Sequence, residues 1–169
     1  QYKVNETFET ASYPPAGWTE TDASDIIARS TSASGYGFGA GSLKADFFNV
    51  SSGSALLNTP VFNTLTGNDT LSFDYAYAPY TGLNPDSLIV KISTDNGATF
   101  SITLASYKLT DIATAPATDF EFAPGASQWA TIKLVMNSAV TGNNSLVQFY
   151  FSSAFGNDLY IDNIALGNT

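Results

Sequence analysis

The chain has 169 residues, of which 44% are hydrophobic, 14% aromatic and only 12% charged. This length is typical of one domain with a sizeable core, so we expect residues 1–169 to form a single domain. The charged fraction is about half of the ~25% usual in soluble domains, so solubility rests on Ser, Thr, Asn and Gly. Such a surface is typical of an extracellular all-β protein.

Charge and residue usage exclude several classes of function. Acids outnumber bases by 15 to 6, giving a net charge of −9, which disfavours nucleic acids and anionic membranes and favours cations as partners. Cysteine and histidine are both absent, which excludes disulfides, thiolate zinc sites and Ser-His or Cys-His nucleophiles. No apolar run reaches the ~20 residues of a membrane-spanning helix, so we expect no membrane insertion. No leader is recognisable, so we expect that any export leader has been removed.

Short runs of alternating apolar residues recur along the chain and predict β-strands. The clearest runs are 71–77, 88–92, 132–136 and 146–151. Turn-forming sequences separate them, and Asp95-Asn96-Gly97 is a hairpin signature. No segment has a sustained helical period, although 105–113 has room for a helical turn. The sequence therefore predicts an all-β fold, a two-sheet antiparallel β-sandwich with apolar residues inside.

Two segments are too long for simple turns between strands. Residues 30–42 are rich in Gly and Ser and contain two aromatic residues, and residues 105–128 form a long connection. Long loops in a compact domain are usually functional or lie packed across a sheet face.

An acid near each end of the chain suggests a cation site. Residues 159–164 read as a closing strand, and strict alternation places Tyr160, Asp162 and Ile164 on one face. A carboxylate between core-type residues must lie at a sheet rim, accept hydrogen bonds or be neutralised by a cation. The first and last strands of a sandwich are often neighbours, so Glu9 could meet Asp162 and bind calcium. In the alternative, Asp162 caps a turn and Glu9 is solvated.

An ordered series of short motifs also runs through nearly the whole chain. The motifs are Phe8-Glu9, Tyr13-Pro14-Pro15-Ala16-Gly17-Trp18, Ser34-Gly35-Tyr36-Gly37, Leu71-Ser72-Phe73-Asp74-Tyr75-Ala76-Tyr77-Ala78, Asp86-Ser87-Leu88, Ser93-Thr94-Asp95-Asn96-Gly97-Ala98-Thr99-Phe100, Ala113-Thr114-Ala115-Pro116, Gln128-Trp129 and Tyr160-Ile161-Asp162-Asn163-Ile164. In this order they resemble the MAM-like jelly-roll modules of secreted Bacteroidota proteins. These include the choice-of-anchor J domains and the cleaved-adhesin domains of gingipain-type proteases.

The resemblance implies a jelly roll, export to the cell surface or medium, and a non-catalytic accessory role. It also implies a structural Ca²⁺ near the joined termini. Carried onto this chain, the metal ligands are Glu9 and Asp162, with main-chain oxygens or Asp46. Calcium takes six to eight oxygen ligands, so three carboxylates would need carbonyls and water to complete the shell.

Aromatic residues in loops are the candidates for ligand binding. Sugar rings stack their C–H faces on aromatic side chains, so Tyr36 and Phe38 of the Gly-rich segment and Tyr80 are predicted to bind a glycan. Alternatively, these three rings fold back as lids over the sandwich edge. Trp18 and Trp129 are predicted to be core anchors instead.

The remaining acids have less specific roles. Asp86, with Asp74, could bind an ion or a sugar hydroxyl, or could be a rim acid that accepts loop amides. Paired carboxylates hydrolyse glycosidic bonds, but Glu9, Glu20 and Glu121 lie in different segments and no nucleophile motif accompanies them. We therefore expect no enzyme activity.

Three functions follow as hypotheses. The first is a secreted carbohydrate-binding module that tethers a parent enzyme or a cell surface to polysaccharide. The second is a protein–protein adhesion module of a surface adhesin or secreted peptidase, and the third is a structural spacer. In each case we expect a monomeric domain of a larger protein.

Overall fold

A computed structural model of the protein describes residues 1–168, with Ala139 described by its backbone alone. In chain order the strands are β1 Tyr2–Glu6, β2 Thr19–Thr21, β3 Ile27–Ser30, β4 Ser42–Ala45, β5 Gly53–Asn58, β6 Thr70–Tyr77, β7 Ser87–Ser93, β8 Ile102–Lys108, β9 Ala130–Val135, β10 Leu146–Ser153 and β11 Leu159–Gly167. Short 3-10 helices span Gly35–Gly37, Leu109–Ile112 and Ser138–Val140. Within residues 1–168, no helix has the length and apolar character needed to cross a membrane.

The strands form two antiparallel sheets, which confirms the predicted β-sandwich. The first sheet has the order β3-β4-β11-β6-β9, with β1 also paired to β11, and the second has the order β2-β5-β10-β7-β8. The closing strand β11 is central, because its first half pairs with β4, its second half with β1 and its other edge with β6. The first and last strands are therefore neighbours, as predicted, with Glu6 opposite Ile164.

The inner faces of both sheets supply the main core. Phe73 of β6 meets Phe149 of β10 edge to face, with ring centroids 5.5 Å apart. Trp18 is buried in this core, as predicted. The alternation in β6, β7 and β10 places large apolar side chains inward, and the burial of such area is the main stabilising contribution.

A second, smaller core covers the outer face of the first sheet. Phe122 and the predicted anchor Trp129 pack there against Tyr160, and Phe122 lies edge to face with Tyr160 at 6.3 Å. The predicted connection 105–128 is shorter than expected, because its first residues continue β8. The remainder lies across the sheet face, as long loops in compact domains often do.

The predicted face of Ile164 was wrong. Asn163 has a φ of +50°, and the pairing of β11 with β6 shifts register between Asp162 and Ala165. This irregularity turns Ile164 into the main core with Ile161, while Asp162 stays on the outer face. Strict alternation therefore ends at Asp162.

Truncation of the central aromatic contact tests the inferred core. Phe149→Ala should lower the free energy of unfolding by about 3–5 kcal/mol, because Phe149 is fully buried and its removal leaves a cavity. Urea unfolding measures this change. Phe38→Ala is the control, since Phe38 is 80% exposed, and it should change stability by less than about 0.5 kcal/mol. Equal losses in the two variants would contradict the core assignment.

Candidate functional site

Three aromatic side chains from distant parts of the chain form a surface pocket. Phe48 and Tyr80 pack edge to face with centroids 6.5 Å apart, and Phe155 is half exposed beside them. The pocket has a volume of about 210 Å³. Its lining consists of Phe48, Tyr80, Asn84, Asp119, Phe155 and Gly156, and we call it the aromatic pocket.

The buried carboxylate of Asp86 holds the loop under this pocket. Asp86 Oδ1 accepts hydrogen bonds from the amides of Ala154 (2.7 Å) and Gly156 (3.1 Å). Asp86 Oδ2 accepts from the Asn157 amide (2.9 Å) and the Tyr77 hydroxyl (2.8 Å). Burial raises the pKa of Asp86, and these donors oppose the rise. Asp86 therefore supports the pocket without lining it, and it accepts loop amides, which is the alternative given for it from the sequence.

Gly156 is needed at this position because the carboxylate approaches its backbone closely. A Cβ at residue 156 would lie 2.1 Å from Asp86 Oδ2, so a larger residue would push the acid away. The glycine thus permits the hydrogen bonds that shape the loop.

Two polar side chains of the pocket, Asn84 and Asp119, form hydrogen bonds within the protein and keep free acceptor atoms. Asn84 Nδ2 donates to the Phe155 carbonyl at 2.6 Å, and the Thr81 hydroxyl donates to Asp119 Oδ1. No hydrogen bond reaches Asn84 Oδ1 or Asp119 Oδ2 from residues 1–168. Both atoms remain available as acceptors.

An acidic cluster adjoins the aromatic pocket through Phe48. Asp46, Glu121 and Asp158 offer carboxylate oxygens within 4.8 Å of one another, a grouping that could hold a metal ion. Lys44 Nζ already supplies positive charge, at 2.8 Å from Glu121 Oε1 and 3.2 Å from Asp158 Oδ2. The Phe48 amide donates to Asp158 Oδ1 at 3.1 Å, so the cluster and the pocket share one backbone segment.

Burial and the hydrogen bond from Lys44 shift the pKa values of two acids in this cluster in opposite directions. Desolvation raises the pKa of Asp158 to about 8, although the charge of Lys44 and the Phe48 amide act in the opposite direction. The hydrogen bond from Lys44 lowers the pKa of the exposed Glu121.

Two further acids accept main-chain amides of the Gly-rich loop, which is the predicted segment 30–42. The Gly35 amide donates to Asp162 Oδ2 at 2.7 Å, and the Ala40 amide donates to Glu9 Oε2 at 2.7 Å. Desolvation raises the pKa of Asp162 to about 6, and the charges of Glu9 and Asp74 add to the rise. Glu9 and Asp162 therefore each accept an amide of the same loop.

The structure separates Asp46 from these two acids. Asp46 lies with Glu121 and Asp158. The acid that raises the pKa of Asp162 together with Glu9 is Asp74, which lies directly opposite Asp162 in the pairing of β6 with β11. From the sequence, Asp74 was paired with Asp86 as a candidate ligand of an ion, and not with Asp162. Only the strand register could have revealed the proximity of Asp74 to Asp162, since the two acids lie far apart in the sequence.

The acids around Asp162 do not form a compact ligand set, because in residues 1–168 only Asp46, Glu121 and Asp158 bring three carboxylate oxygens within 4.8 Å of one another. In the described part of the chain no Lys or Arg forms an ion pair with Glu9, Asp74 or Asp162. A Cβ at Gly35 would lie 3.1 Å from Asp162 Oδ2 and 3.2 Å from Asp74 Oδ2, so the glycine leaves both carboxylates room to face it. Both carboxylates already accept hydrogen bonds from the protein, Asp162 from the Gly35 amide and Asp74 from Asn163 Nδ2.

The other predicted ligand contacts lie on the Gly-rich loop. The Tyr36 hydroxyl is 2.9 Å from Thr131 Oγ1, while Phe38 is 80% exposed. Neither ring lines the aromatic pocket, whereas Tyr80 does. The sequence analysis missed Phe155, although its place in a turn before Gly156 is the same kind of pattern that indicated Tyr36.

Comparison with known proteins identifies the fold. No protein-family model matches the sequence, and no curated protein matches it at a significant level. Among solved structures, the K1 and K3 cleaved adhesin domains of Lys-gingipain from Porphyromonas gingivalis superpose with TM-scores of 0.66 and 0.65. Their sequence identities are 17% and 21%, and the matches cover 98% of both chains for K1, and 99% of this chain and 100% of that chain for K3.

A carbohydrate-binding module has a similar fold. TmCBM61, solved in complex with β-1,4-galactotriose, superposes with a TM-score of 0.62 at 14% identity, covering 97% of this chain and 95% of its own. The chain thus has the jelly-roll fold of cleaved adhesin domains and of carbohydrate-binding modules, as the motif series predicted.

The raised pKa of Asp158 predicts a pH-dependent stability. The folded state keeps this proton up to about pH 8, whereas the unfolded chain loses it near the ordinary value of 3.8. The folded state binds more protons in this range, so the free energy of unfolding should fall as pH rises. In Asp158→Asn this fall should be shallower, as measured by urea unfolding at four pH values from about 5 to 8.

Asp111→Asn removes an exposed acid from the same protein and serves as the control for Asp158→Asn. It should keep the wild-type dependence on pH. A wild-type slope in Asp158→Asn would contradict the assignment of a buried, protonated Asp158.

Proposed function

We propose that the chain is a non-catalytic carbohydrate-binding module of a secreted or cell-surface protein, and that the aromatic pocket binds the sugar. The observation that carries this proposal is the convergence of three aromatic rings and two free acceptor atoms in one pocket. Aromatic rings stack on the C–H faces of sugars, and the acceptors take hydroxyl donors. The role of such a module is to raise the local concentration of its parent protein at a polysaccharide.

The size of the pocket suits one sugar unit of a longer glycan. Its volume of about 210 Å³ is below the range of about 300–1,000 Å³ of pockets that enclose whole drug-sized ligands. The exposed rings of Phe120 and Phe155 would then meet neighbouring units. The fold shared with TmCBM61, which was solved with a galactotriose, supports the same class of ligand.

Protein–protein adhesion is the second candidate function. Phe38 and Phe120 are 80% and 81% exposed, and large exposed apolar side chains favour a protein partner. The fold shared with the cleaved adhesin domains agrees with this alternative.

We further propose that Glu9 and Asp162 hold a structural Ca²⁺, with Asp74 beside them and main-chain oxygens completing the shell. The ion would neutralise acids that, within residues 1–168, form no ion pair with a Lys or Arg. It would also tie the segment after β1 to the closing strand β11. Asp46 belongs to the acidic cluster beside the pocket and is not part of this proposed site.

Glycan binding should depend on Tyr80. A glycan array should identify an oligosaccharide ligand, and Tyr80→Ala should weaken its binding at least about tenfold in calorimetry, since a central aromatic hot spot contributes about 2 kcal/mol or more. Tyr36→Ala is the matched control and should bind like the wild type, because Tyr36 does not line the pocket. Loss of binding in Tyr36→Ala with full binding in Tyr80→Ala would move the site to the Gly-rich loop. An array with no bound glycan would favour adhesion.

Calcium should stabilise the protein through Asp162. At 100 times its dissociation constant the ion contributes about 2.7 kcal/mol, which should raise the melting temperature by about 5–10 °C over the chelator-treated protein. Asp162→Asn should lose this increase, whereas the control Asp46→Asn should keep it. A wild-type protein that is unfolded and refolded in chelator, and then shows no increase with calcium, would contradict the site.

A further inference from the structure

The aromatic pocket presents more hydrogen-bond acceptors than donors to a ligand. Asn84 must direct its Nδ2 toward the Phe155 carbonyl, because a carbonyl can only accept, and this leaves Asn84 Oδ1 free. The Thr81 hydroxyl donates to Asp119, and the Gly156 amide donates to Asp86. Among the side chains that line the pocket, the Tyr80 hydroxyl and the second N–H of Asn84 Nδ2 can still donate.

The charges around the pocket are negative. Asp119 is exposed at the pocket and forms no ion pair with any residue in the described chain. No Lys or Arg lines the pocket, and the neighbouring Lys44 is already paired with Glu121 and Asp158. A ligand that carries a carboxylate or sulfate would therefore meet repulsion without a compensating base.

The pocket walls add a second preference for positive charge. The face of an aromatic ring carries the negative side of the ring quadrupole and attracts a cation within about 6 Å of the ring centre, and three such rings, Phe48, Tyr80 and Phe155, line this pocket. A primary ammonium group also has three donors, which the free oxygens of Asn84 and Asp119 can accept. A positively charged, donor-rich group on a sugar ring therefore fits the walls and the polar atoms together.

We infer that the aromatic pocket is selective for glycans with free amino groups, such as oligomers of glucosamine, and discriminates against uronic acids. This inference rests on the proposed carbohydrate binding and names its substrate class. Asp119 is the residue that sets the preference, because its carboxylate is the pocket's own unpaired charge.

Calorimetry with three oligosaccharides of equal length and β-1,4 linkage tests this selectivity. The probes are tetramers of glucosamine, of N-acetylglucosamine and of a uronic acid, at about pH 6, where the sugar amine is protonated. We expect glucosamine tetramer to bind about tenfold more tightly than its acetylated form, and the uronic acid to bind most weakly. The tenfold ratio should decrease at high salt, because screening weakens exposed charge interactions.

Asp119→Asn tests whether the charge of Asp119 itself, and not the net negative charge of the protein, sets the preference for the amine. This variant should bring the ratio of the affinities for the glucosamine and N-acetylglucosamine tetramers to within about twofold, and this ratio is the readout, because the loss of an acceptor can weaken both affinities. Asp25→Asn removes the same charge from an exposed turn outside the pocket lining and should keep the tenfold ratio.

The outcomes distinguish the inference from the proposed function. Equal or weaker binding of the amine, or tight binding of the uronic acid, would overturn the selectivity while carbohydrate binding stands. An unchanged ratio in Asp119→Asn would overturn the role of that residue. Binding of none of the three tetramers, together with an array without ligands, would overturn the proposed function itself.

Discussion

The buried carboxylate of Asp86 is the interaction on which the aromatic pocket depends. It gathers three main-chain amides of one loop and the hydroxyl of Tyr77, so its desolvation cost is offset by four donors. The loop then presents Phe155 opposite Phe48 and Tyr80. A neutral apolar residue at position 86 would leave the amides without acceptors, and the pocket would lose its wall.

The same interaction, a carboxylate that accepts main-chain amides of a loop, recurs in this chain, which has no cysteine for disulfides. Asp162 and Glu9 hold the two ends of the Gly-rich loop through main-chain amides. Asp22 accepts from the amides of Ile26 and Ile27 and so fixes the start of β3. Carboxylates that accept main-chain amides thus order the loops of a sandwich whose strands are ordered by apolar burial. The excess of acids over bases therefore has a structural use.

The fold could be predicted from the sequence, whereas the site could be predicted only in part. Alternation in strands such as 71–77 reports directly which face is buried, so the sandwich follows from local patterns. The bulge at Asn163 has no comparable signal, because an Asn with positive φ differs little in sequence from an Asn in an ordinary strand. Tyr80 was predicted as a ligand contact, but Phe48 and Phe155 reach it only through tertiary packing. The approach of Asp74 to Asp162 likewise depends on strand register.

The most direct test of the account is a crystal structure of the protein with the oligosaccharide that binds best on an array. The account predicts density for a sugar ring in the aromatic pocket, stacked against Tyr80 or Phe155 and within hydrogen-bond distance of Asp119. Sugar density on another surface, such as the outer face of the second sheet around Tyr150, with the aromatic pocket free of ligand, would contradict it.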